Sequence, residues 1–387
     1  MTRLLVLDDE LDICHMMGDI ADEFGFDVDL TTTPGEFLRS NSLHSPDLIV
    51  LDLAFPGGDG IEMLRALEAS HYKGSLILFS GSDTRVLSTA RRIGIALGID
   101  VVGAVEKPFL AQSFRDLFAK TAARFPSYTA ADFTAALANA EFVVHYMPIV
   151  DMRTRHVSVV EALIRWARPD RELVQPDQFL PSVARLGMMP AVTSAVIGTA
   201  LADASAWKRD GSDLRVAINV PASVALGPAF FEEITQARGR FEPFPPNLMI
   251  ELTETEAMGD PVRMMEVLSR LRLHGIELAI DDFGTGYSSL VELRRLPFSR
   301  MKIDKSFVLS CVREADAGAI TRAVIDLGHA LGISVVAEGV ETKEIWDQLV
   351  EWRCDSAQGY LVARAMPIAE LKGWSENWSR GGGTVAP

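Results

Sequence analysis

Short apolar runs that end in polar residues recur along this chain, and the stretches between them are long enough for helices. In residues 1–108 the runs are LLVL, FDVDL, DLIVLDL, SLILFS and VVGAV, with helical patterns such as 60–69 and 84–98 between them. Strands that alternate with helices predict a parallel, doubly wound sheet. A longer series, from VSVVEALIR to SAQGY, predicts a (β/α)8-like, TIM-type barrel. We therefore expect an α/β protein with two domains.

Composition excludes several classes of protein. The 387 residues are 48% hydrophobic and 23% charged, which is typical of a globular protein. The net charge of −16 argues against binding to a nucleic-acid polymer or an anionic membrane surface. The three cysteines have no CxxC spacing, and no stretch is typical of a signal peptide or a membrane span. We expect a cytoplasmic protein without membrane insertion.

Polar residues close the strands of the first predicted sheet. Asp8 and Asp9 follow the first run, Asp52 ends the next strong one, Ser80 ends SLILFS, and Lys107 follows the last. Because function lies at the carboxyl ends of such strands, these side chains should converge on one edge. Acids after a strand also cap helices, which is an equally good interpretation of the first two acids alone. Together the five residues indicate one Mg²⁺ site with a nucleophilic carboxylate.

This set, with the motifs DLAFPGGDG and EKPF, resembles the receiver domain of two-component response regulators over roughly residues 1–124. The resemblance implies a flavodoxin-like fold in which Asp52 accepts a phosphoryl group from a cognate sensor histidine kinase as an acyl phosphate. It also implies that Asp8 and Asp9 hold one Mg²⁺, that Lys107 pairs with the phosphoryl oxygens, and that Ser80 bonds to them and switches.

The barrel strands end in oxygen ligands. The polar residues at or near these strand ends are Glu161, Asn219, Glu251, Glu254, Asp281, Asp282, Lys302, Asp304, Glu338 and Gln358. Acids that meet at one barrel mouth repel each other unless cations lie between them. None of the seven histidines lies at a matching strand end, so the hard oxygen ligands favour Mg²⁺ or Mn²⁺ over Zn²⁺. An enolase-like enzyme and a two-metal phosphodiesterase both fit this chemistry.

Six ordered motifs favour the second class. They are EALIRW, ELTETEAM, DDFGTGYSSL, LPFSRMKIDKSFV, VVAEGVET and AQGYLVARAMP. Over residues 142–367 the chain resembles the EAL-domain cyclic-di-GMP phosphodiesterases. The resemblance implies an EAL barrel, which we assign to 125–378, and hydrolysis of cyclic-di-GMP to linear pGpG with two Mg²⁺ or Mn²⁺ ions. We expect a flexible tail over 379–387. A homodimer is also expected.

The same resemblance implies a role for each site residue. The catalytic set would be Lys302, Glu254 and Glu338, with Lys302 orienting or deprotonating the attacking water. Arg165 and Gln358 would contact the substrate. The metal ligands would be Glu161, Asn219, Glu251, Asp281, Asp282 and Glu338, with Asp281 as the bridge. Asp304 is interpreted as a residue that only orients Lys302.

The stretch AIDDFGTGYSSL places two adjacent acids at a strand end. Neighbouring strand side chains face opposite ways, so both acids reach one site only where the strand gives out. We expect the strand to break after Asp281, with Gly284 and Gly286 letting Asp282 turn toward the same metals. Glu254 is expected to hold this loop by accepting hydrogen bonds from its hydroxyl groups or backbone.

A few positions depart from the family patterns. Ala104 stands where receivers usually carry an aromatic residue, which puts the usual relay of phosphorylation in question. Met147 replaces the glutamine that often precedes Pro-Ile, Pro221 stands where serine is common, and ARAMP lacks the usual Arg-Pro pair. These changes affect substrate contacts or loop shape and leave the metal set whole.

The rival interpretation is a non-catalytic cyclic-di-GMP receptor or docking module. Such modules usually lose metal ligands or the lysine, and this chain has lost neither. The sequence therefore predicts a response regulator whose phosphodiesterase activity is regulated by phosphorylation of Asp52.

Overall fold

The computed structural model describes residues 2–44, 46–56, 58–70, 72, 74–81, 84–107, 109–124, 128–169, 173–241, 247–285 and 290–378. The chain divides into two compact units, Met1–Thr129 and Ala130–Pro387. Gly286 and the expected tail over 379–387 lie outside the described residues. Within the described ranges, no helix has both the length and the apolarity needed to cross a bilayer.

The first unit is a five-stranded parallel sheet with helices on both faces. The sheet contains β1 (Thr2–Leu7), β2 (Phe26–Thr31), β3 (Leu48–Asp52), β6 (Ser75–Ser80) and β7 (Asp100–Glu106), and the short strands β4 (Ala54–Phe55) and β5 (Gly58–Asp59) form a separate antiparallel pair. Its helices are α1 (Leu11–Asp22), α2 (Pro34–His44), α3 (Gly60–Ala69), α4 (Thr84–Ala96) and α5 (Ala111–Arg124). The sheet order β2-β1-β3-β6-β7 confirms the predicted flavodoxin-like fold.

Two hydrophobic clusters, one on each face of the sheet, explain why the sequences of the central strands are continuous apolar runs. Leu5 and Ile49 pack with residues of α2, α3 and α4, whereas Leu4 and Val50 pack with residues of α1 and α5. Both faces of this parallel sheet are covered, so successive residues of the central strands β3 and β6 are all buried. The polar residues at the strand ends are therefore the ones that break this pattern.

The second unit is a closed eight-stranded barrel. Its strands are β8 (Phe142–Asp151), β9 (Val157–Trp166), β10 (Arg215–Asn219), β11 (Asn247–Thr253), β12 (Glu277–Phe283), β13 (Arg300–Ile303), β14 (Ser334–Ala337) and β15 (Ser356–Ala357), and β16 (Met366–Pro367) adds to the outer edge of β8. Its helices are α6 (Ala130–Ala138), α7 (Pro176–Arg185), α8 (Met189–Arg209), α9 (Ala222–Ala225), α10 (Phe230–Gly239), α11 (Glu254–Ala257), α12 (Pro261–Leu273), α13 (Leu290–Arg295), α14 (Lys305–Ser310), α15 (Ala315–Leu331), α16 (Lys343–Glu351) and α17 (Ile368–Asn377). The predicted barrel is confirmed.

The barrel differs from a regular (β/α)8 fold at its first strand, which the sequence analysis did not identify. β8 runs antiparallel to both of its neighbours, β9 and β15. A tight turn joins β8 to β9, and the carboxylate of Asp151 accepts hydrogen bonds there from the backbone N–H groups of Arg153 (3.1 Å) and Thr154 (2.6 Å). The pairing sets Met147 opposite Glu161.

An apolar layer inside the barrel explains why the predicted site residues meet. Ile149, Val159, Ala217, Met249, Ala279 and Val336 form one buried cluster. Side chains on a strand repeat every two residues, so the residue two positions further along faces the same interior. The polar residues placed above the layer in this way are Glu161, Asn219, Glu251, Asp281 and Glu338.

Candidate metal centre

Two clusters of three acids share one residue at the carboxyl ends of the barrel strands. Ligand oxygens of Glu161, Glu251 and Asp281 lie within 4.8 Å of one another, and so do those of Asp281, Asp282 and Glu338. We call them the first and second triads. Asp281 belongs to both, so its carboxylate is the group that can bridge two cations.

Lys302 is fully buried among the triads. Its Nζ lies 2.6 Å from Oε1 of Glu338, 2.8 Å from Oε2 of Glu251 and 3.1 Å from Oδ2 of Asp281. Burial by itself would lower the pKa of the ammonium group, but the surrounding carboxylates raise that pKa well above its ordinary value. Lys302 is therefore charged and acts as a hydrogen-bond donor.

Glu161 receives two amide donors. Nδ2 of Asn219 donates to its Oε1 at 2.6 Å, and Nε2 of Gln358 donates to its Oε2 at 2.6 Å. Burial raises the pKa of Glu161, but the charge of Lys302 and these hydrogen bonds outweigh it and hold that pKa below its usual value. The predicted residues Asn219 and Gln358 thus meet the metal-site acid from opposite sides of its carboxylate.

A glycine makes the position of Gln358 possible. A Cβ atom added at Gly359 would lie 2.2 Å from both the backbone nitrogen and the carbonyl oxygen of Val340. The backbone N–H of Val340 donates to the carbonyl of Gln358 at 3.0 Å, and Leu361 donates back to Val340 at 3.0 Å. The two chain segments approach so closely that only glycine fits between them.

The prediction that the strand breaks after Asp281 is wrong. β12 continues to Phe283, and Asp282 itself adopts a left-handed backbone conformation with a φ of 53°. Aspartate tolerates this conformation better than most residues because its short side chain bonds locally. The pairing with β13 is irregular between Ile280 and Phe283. The backbone turn that directs Asp281 and Asp282 toward one site therefore occurs at Asp282 itself, before Gly284 and Gly286 in the sequence.

Glu254 holds the loop after Asp282 through a hydrogen bond to its backbone. This buried carboxylate accepts a hydrogen bond from the backbone N–H of Gly284 at 2.8 Å. Gly284 has a φ of 103°, a conformation that favours glycine. The contact is of the backbone kind expected from the sequence. The hydroxyl of Thr285 donates instead to the carbonyl of Asp282 at 2.9 Å.

Asp304 lies against Asp282, and no hydrogen bond or ion pair joins it to Lys302 in the part of the chain that the structure describes. One of its oxygens caps α14 by accepting from the backbone N–H of Ser306 at 2.9 Å. Its carboxylate lies close enough to that of Asp282 for the two negative charges to repel each other. Burial, then the charges of Asp281 and Asp304, raise the pKa of Asp282 to about 6.

The residues present fit divalent cations. Among the described residues, Oε1 of Glu251 is buried and accepts no hydrogen bond. Burial raises the pKa of Glu251 to about 8 and that of Glu338 well above its usual value, because Lys302 alone cannot neutralise the cluster. With all five carboxylates ionised, the cluster and the Lys302 ammonium group would carry four net negative charges, which two divalent cations would balance. All the donors are oxygens, as Mg²⁺ and Mn²⁺ prefer.

An apolar cavity of about 320 Å³ opens beside the first triad. Asn219 and Glu251 form part of its wall, and Glu256 lies at its edge. The apolar lining comes from Ile164, Pro176, Leu180, Met189, Val192, Val196 and Pro221. Arg165, which ends β9 with Trp166, is half-buried near Glu161, and its pKa is lowered by burial although that carboxylate opposes the shift. The guanidinium group of Arg165 and an apolar cavity therefore lie beside the acids.

The five residues predicted for the first unit also converge. Ligand oxygens of Asp8, Asp9 and Asp52 lie within 4.8 Å of one another. Nζ of Lys107 is 2.9 Å from Oδ2 of Asp8 and 2.9 Å from Oδ2 of Asp52, and its backbone N–H donates to the carbonyl of Ser80 at 2.8 Å. Burial raises the pKa of Asp8, against the opposing hydrogen bonds that it accepts. Asp9 alone is exposed.

Aromatic side chains lie beneath the lysine of this unit. Ala104 is exposed on β7, where receivers usually carry an aromatic residue. The ring of Phe79 packs edge-on against Phe109 (5.1 Å) and Phe114 (5.4 Å), and Nζ of Lys107 lies 4.5 Å from its centre. Sequence reasoning missed this cluster, although Phe79 directly precedes Ser80.

The fold and the two acidic sites define a class of protein in which a receiver-like sheet and a metal-binding barrel share one chain. The response regulator receiver domain family matches residues 4–119, and the EAL domain family matches residues 130–365. The chain belongs to the EAL domain family and carries a response regulator receiver domain.

Its relatives include signalling proteins of Pseudomonas aeruginosa. The cyclic di-GMP phosphodiesterase RocR is 33% identical over 333 residues, which are 83% of this chain and 84% of RocR. The bifunctional diguanylate cyclase/cyclic di-GMP phosphodiesterase MucR is 36% identical over 62% of this chain, but the chain covers only 35% of MucR. The solved structure of the PaMucR phosphodiesterase in complex with c-di-GMP matches with a TM-score of 0.60 at 36% identity, covering 62% of this chain and 98% of that one.

Proposed function

We propose that this protein is a cytoplasmic response regulator that hydrolyses cyclic-di-GMP to linear pGpG, using two Mg²⁺ or Mn²⁺ ions, under control of phosphorylation at Asp52. The observation that carries the proposal is the pair of triads that share Asp281 around a buried lysine. Relatives named as cyclic di-GMP phosphodiesterases support the choice of substrate.

The chain's own residues would divide the work as follows. Glu161, Asn219 and Glu251 would hold one ion, Asp282 and Glu338 the other, and Asp281 would join the two. Two divalent ions supply the positive charge that stabilises the attacking and leaving oxygens of a phosphodiester displacement.

Lys302 is within reach of both triads and would donate a hydrogen bond that orients the attacking water. Arg165 would pair with a phosphate of the substrate, since a guanidinium suits phosphate oxygens. Gln358 would keep Glu161 aimed at the ions through the bond described above. The apolar cavity beside Asn219 would receive a purine base.

In the first unit, Asp52 would be the phosphoacceptor. Asp8 and Asp9 would hold one Mg²⁺, Lys107 would exchange its carboxylate contacts for phosphoryl oxygens, and Ser80 would bond to the same group. A cognate sensor histidine kinase and a second copy of this chain are the proposed partners.

Turnover of cyclic-di-GMP by the full chain tests the proposal. We expect pGpG to appear with Mg²⁺ or Mn²⁺, to disappear with EDTA, and to change in rate with acetyl phosphate in wild type but not in Asp52→Asn. Binding of cyclic-di-GMP without turnover in any metal would identify a non-catalytic receptor instead. If the rate of cyclic-di-GMP turnover does not change although phosphorylation of Asp52 is verified, the receiver domain is a docking unit and does not regulate the barrel.

A further inference from the structure

The short helix α14 contacts the loop that follows Asp282. The carboxyl group of Asp304 caps this helix by accepting a hydrogen bond from the backbone N–H of Ser306 at 2.9 Å. One turn further on, the half-buried ring of Phe307 packs directly on Gly284. A Cβ atom added at Gly284 would lie 3.0 Å from Cε2 of that ring, and the three atoms nearest to it all belong to Phe307. The ring therefore closes one side of a loop whose N–H Glu254 holds from another.

The same turn of α14 contacts the loop that follows Glu338. Gly339 has a φ of 66°, and a Cβ atom added there would lie 2.7 Å from Cβ of Lys305 and 3.6 Å from Cγ of Leu309. The backbone N–H of Glu338 donates to the carbonyl of Ile303, just before the helix, at 3.3 Å. Both loops are thus packed against one element.

These contacts of α14 involve the second triad and not the first. Asp282 and Glu338 are the members of the second triad that the first triad lacks. In the described part of the chain, no hydrogen bond or ion pair connects α14 or its cap with Glu161 or Glu251. Their partners are Asn219 on β10, Lys302 on β13 and Gln358 directly after β15.

We propose that α14 positions the second triad separately from the first, with Phe307 as the principal positioning residue. The inference rests on the proposed two-ion site and names the element that controls one ion of the pair. Without the ring, Gly284 has open space on one side, and a glycine at positive φ can move into other conformations. Asp282 would then lose its fixed direction, while the first triad, built on the barrel strands, would stay in place.

Binding of Mn²⁺ to the full chain tests this inference without relying on turnover. Calorimetric titration gives the number and affinity of the ions, and electron paramagnetic resonance shows whether two ions are magnetically coupled. For Phe307→Ala we expect one ion to bind about 10- to 100-fold more weakly, the range for residues that support ligands from behind, and the coupled signal to be lost at low Mn²⁺. The other ion should bind as in wild type.

Two further variants separate positioning from general damage. Val308→Ala removes a fully buried core side chain from the same helix and should leave both affinities unchanged at a comparable loss of thermal stability. Phe307→Leu keeps an apolar contact with Gly284 and should restore most of the lost affinity. Excess Mn²⁺ should return the kcat of Phe307→Ala close to that of wild type.

Equal weakening of both ions in Phe307→Ala, or the same loss in Val308→Ala, would overturn the inference, as would two unchanged affinities in Phe307→Ala. A wild-type protein that binds a single ion would instead refute the two-ion function itself. A wild type that binds two ions but turns over no cyclic-di-GMP would refute the proposed reaction and still leave the role of α14 decided by the titrations.

Discussion

Replacing Lys302 with methionine should have opposite effects on the ion-free and the ion-bound protein. The ammonium group is the only cation within 4 Å of the triad carboxylates among the described residues, and it lies 2.6, 2.8 and 3.1 Å from three of them. Methionine preserves much of the side-chain volume and removes the charge. The carboxylates would then be buried without a counter-charge unless divalent ions bind.

The expected loss follows from that geometry. Removing one partner of a buried ion pair costs about 3–5 kcal/mol, because the remaining charge is left unneutralised. At roughly 2–4 °C per kcal/mol for a domain of this size, the melting temperature in EDTA should fall by roughly 6–20 °C. Saturating Mn²⁺ should stabilise Lys302→Met more than wild type, since the ions no longer compete with a fixed cation. Turnover in Mn²⁺ should be lost.

Thermal unfolding in EDTA and in Mn²⁺, followed by circular dichroism, gives both effects. Lys343→Met is the matched control, because Lys343 pairs with Asp347 on the exposed surface of α16 and contributes little there. A melting temperature for Lys302→Met in EDTA that equals that of wild type would refute the argument that this lysine neutralises the acids. Equal gains from Mn²⁺ in the two proteins would refute the competition between lysine and ions.

Three further predictions concern the same barrel. Gly359→Ala should unfold or inactivate the protein, because the new Cβ would collide with the backbone of Val340. Gly373→Ala is the control: this position in α17 has open space, so the variant should raise the melting temperature slightly. Equal melting temperatures of the two variants would contradict the close approach at Gly359. Asp281→Asn should remove the shared carboxylate and abolish the coupled Mn²⁺ pair along with turnover, and a persisting pair would show that another group bridges the ions. Ca²⁺ should inhibit turnover in the presence of Mg²⁺, since it prefers longer bonds and more ligands, and undiminished turnover in excess Ca²⁺ would argue against a compact two-ion site.

The convergence of the acids could be predicted because it depends only on strand direction and period. Once Glu161, Asn219, Glu251 and Asp281 are read as strand ends of a parallel barrel, they must meet at one mouth. The same reasoning holds in the first unit for Asp8 and the residues around it. Strand-end geometry alone fits both an enolase-like enzyme and a two-metal phosphodiesterase. The order of the six motifs along the chain favours the phosphodiesterase.

The details that escaped prediction depend on direction and on contacts between distant elements. An apolar run looks the same whether its strand is parallel or antiparallel, so β8 was missed, although the link between Asp151 and Val157 is too short for a helical crossover. The left-handed φ of Asp282 is imposed by the surrounding structure and is not encoded in the local sequence pattern. The contact of Asp304 with Asp282 depends on how α14 packs, which no spacing in the sequence reveals.

The closure of the barrel by β8 has a consequence for how the domain is made. Asp151 pairs with Ser356, and the amide of Gln358 reaches the carboxylate of Glu161 across a sequence separation of 197 residues. During synthesis, the first strand of the barrel must wait for nearly the whole domain before its outer edge is paired. Contacts between such distant residues slow folding and leave strand edges open to wrong partners. A ribosome-bound chain that stops before Ser356 should therefore remain protease-sensitive and bind chaperones, and the metal centre should appear only in the last step, when the ring of strands is completed.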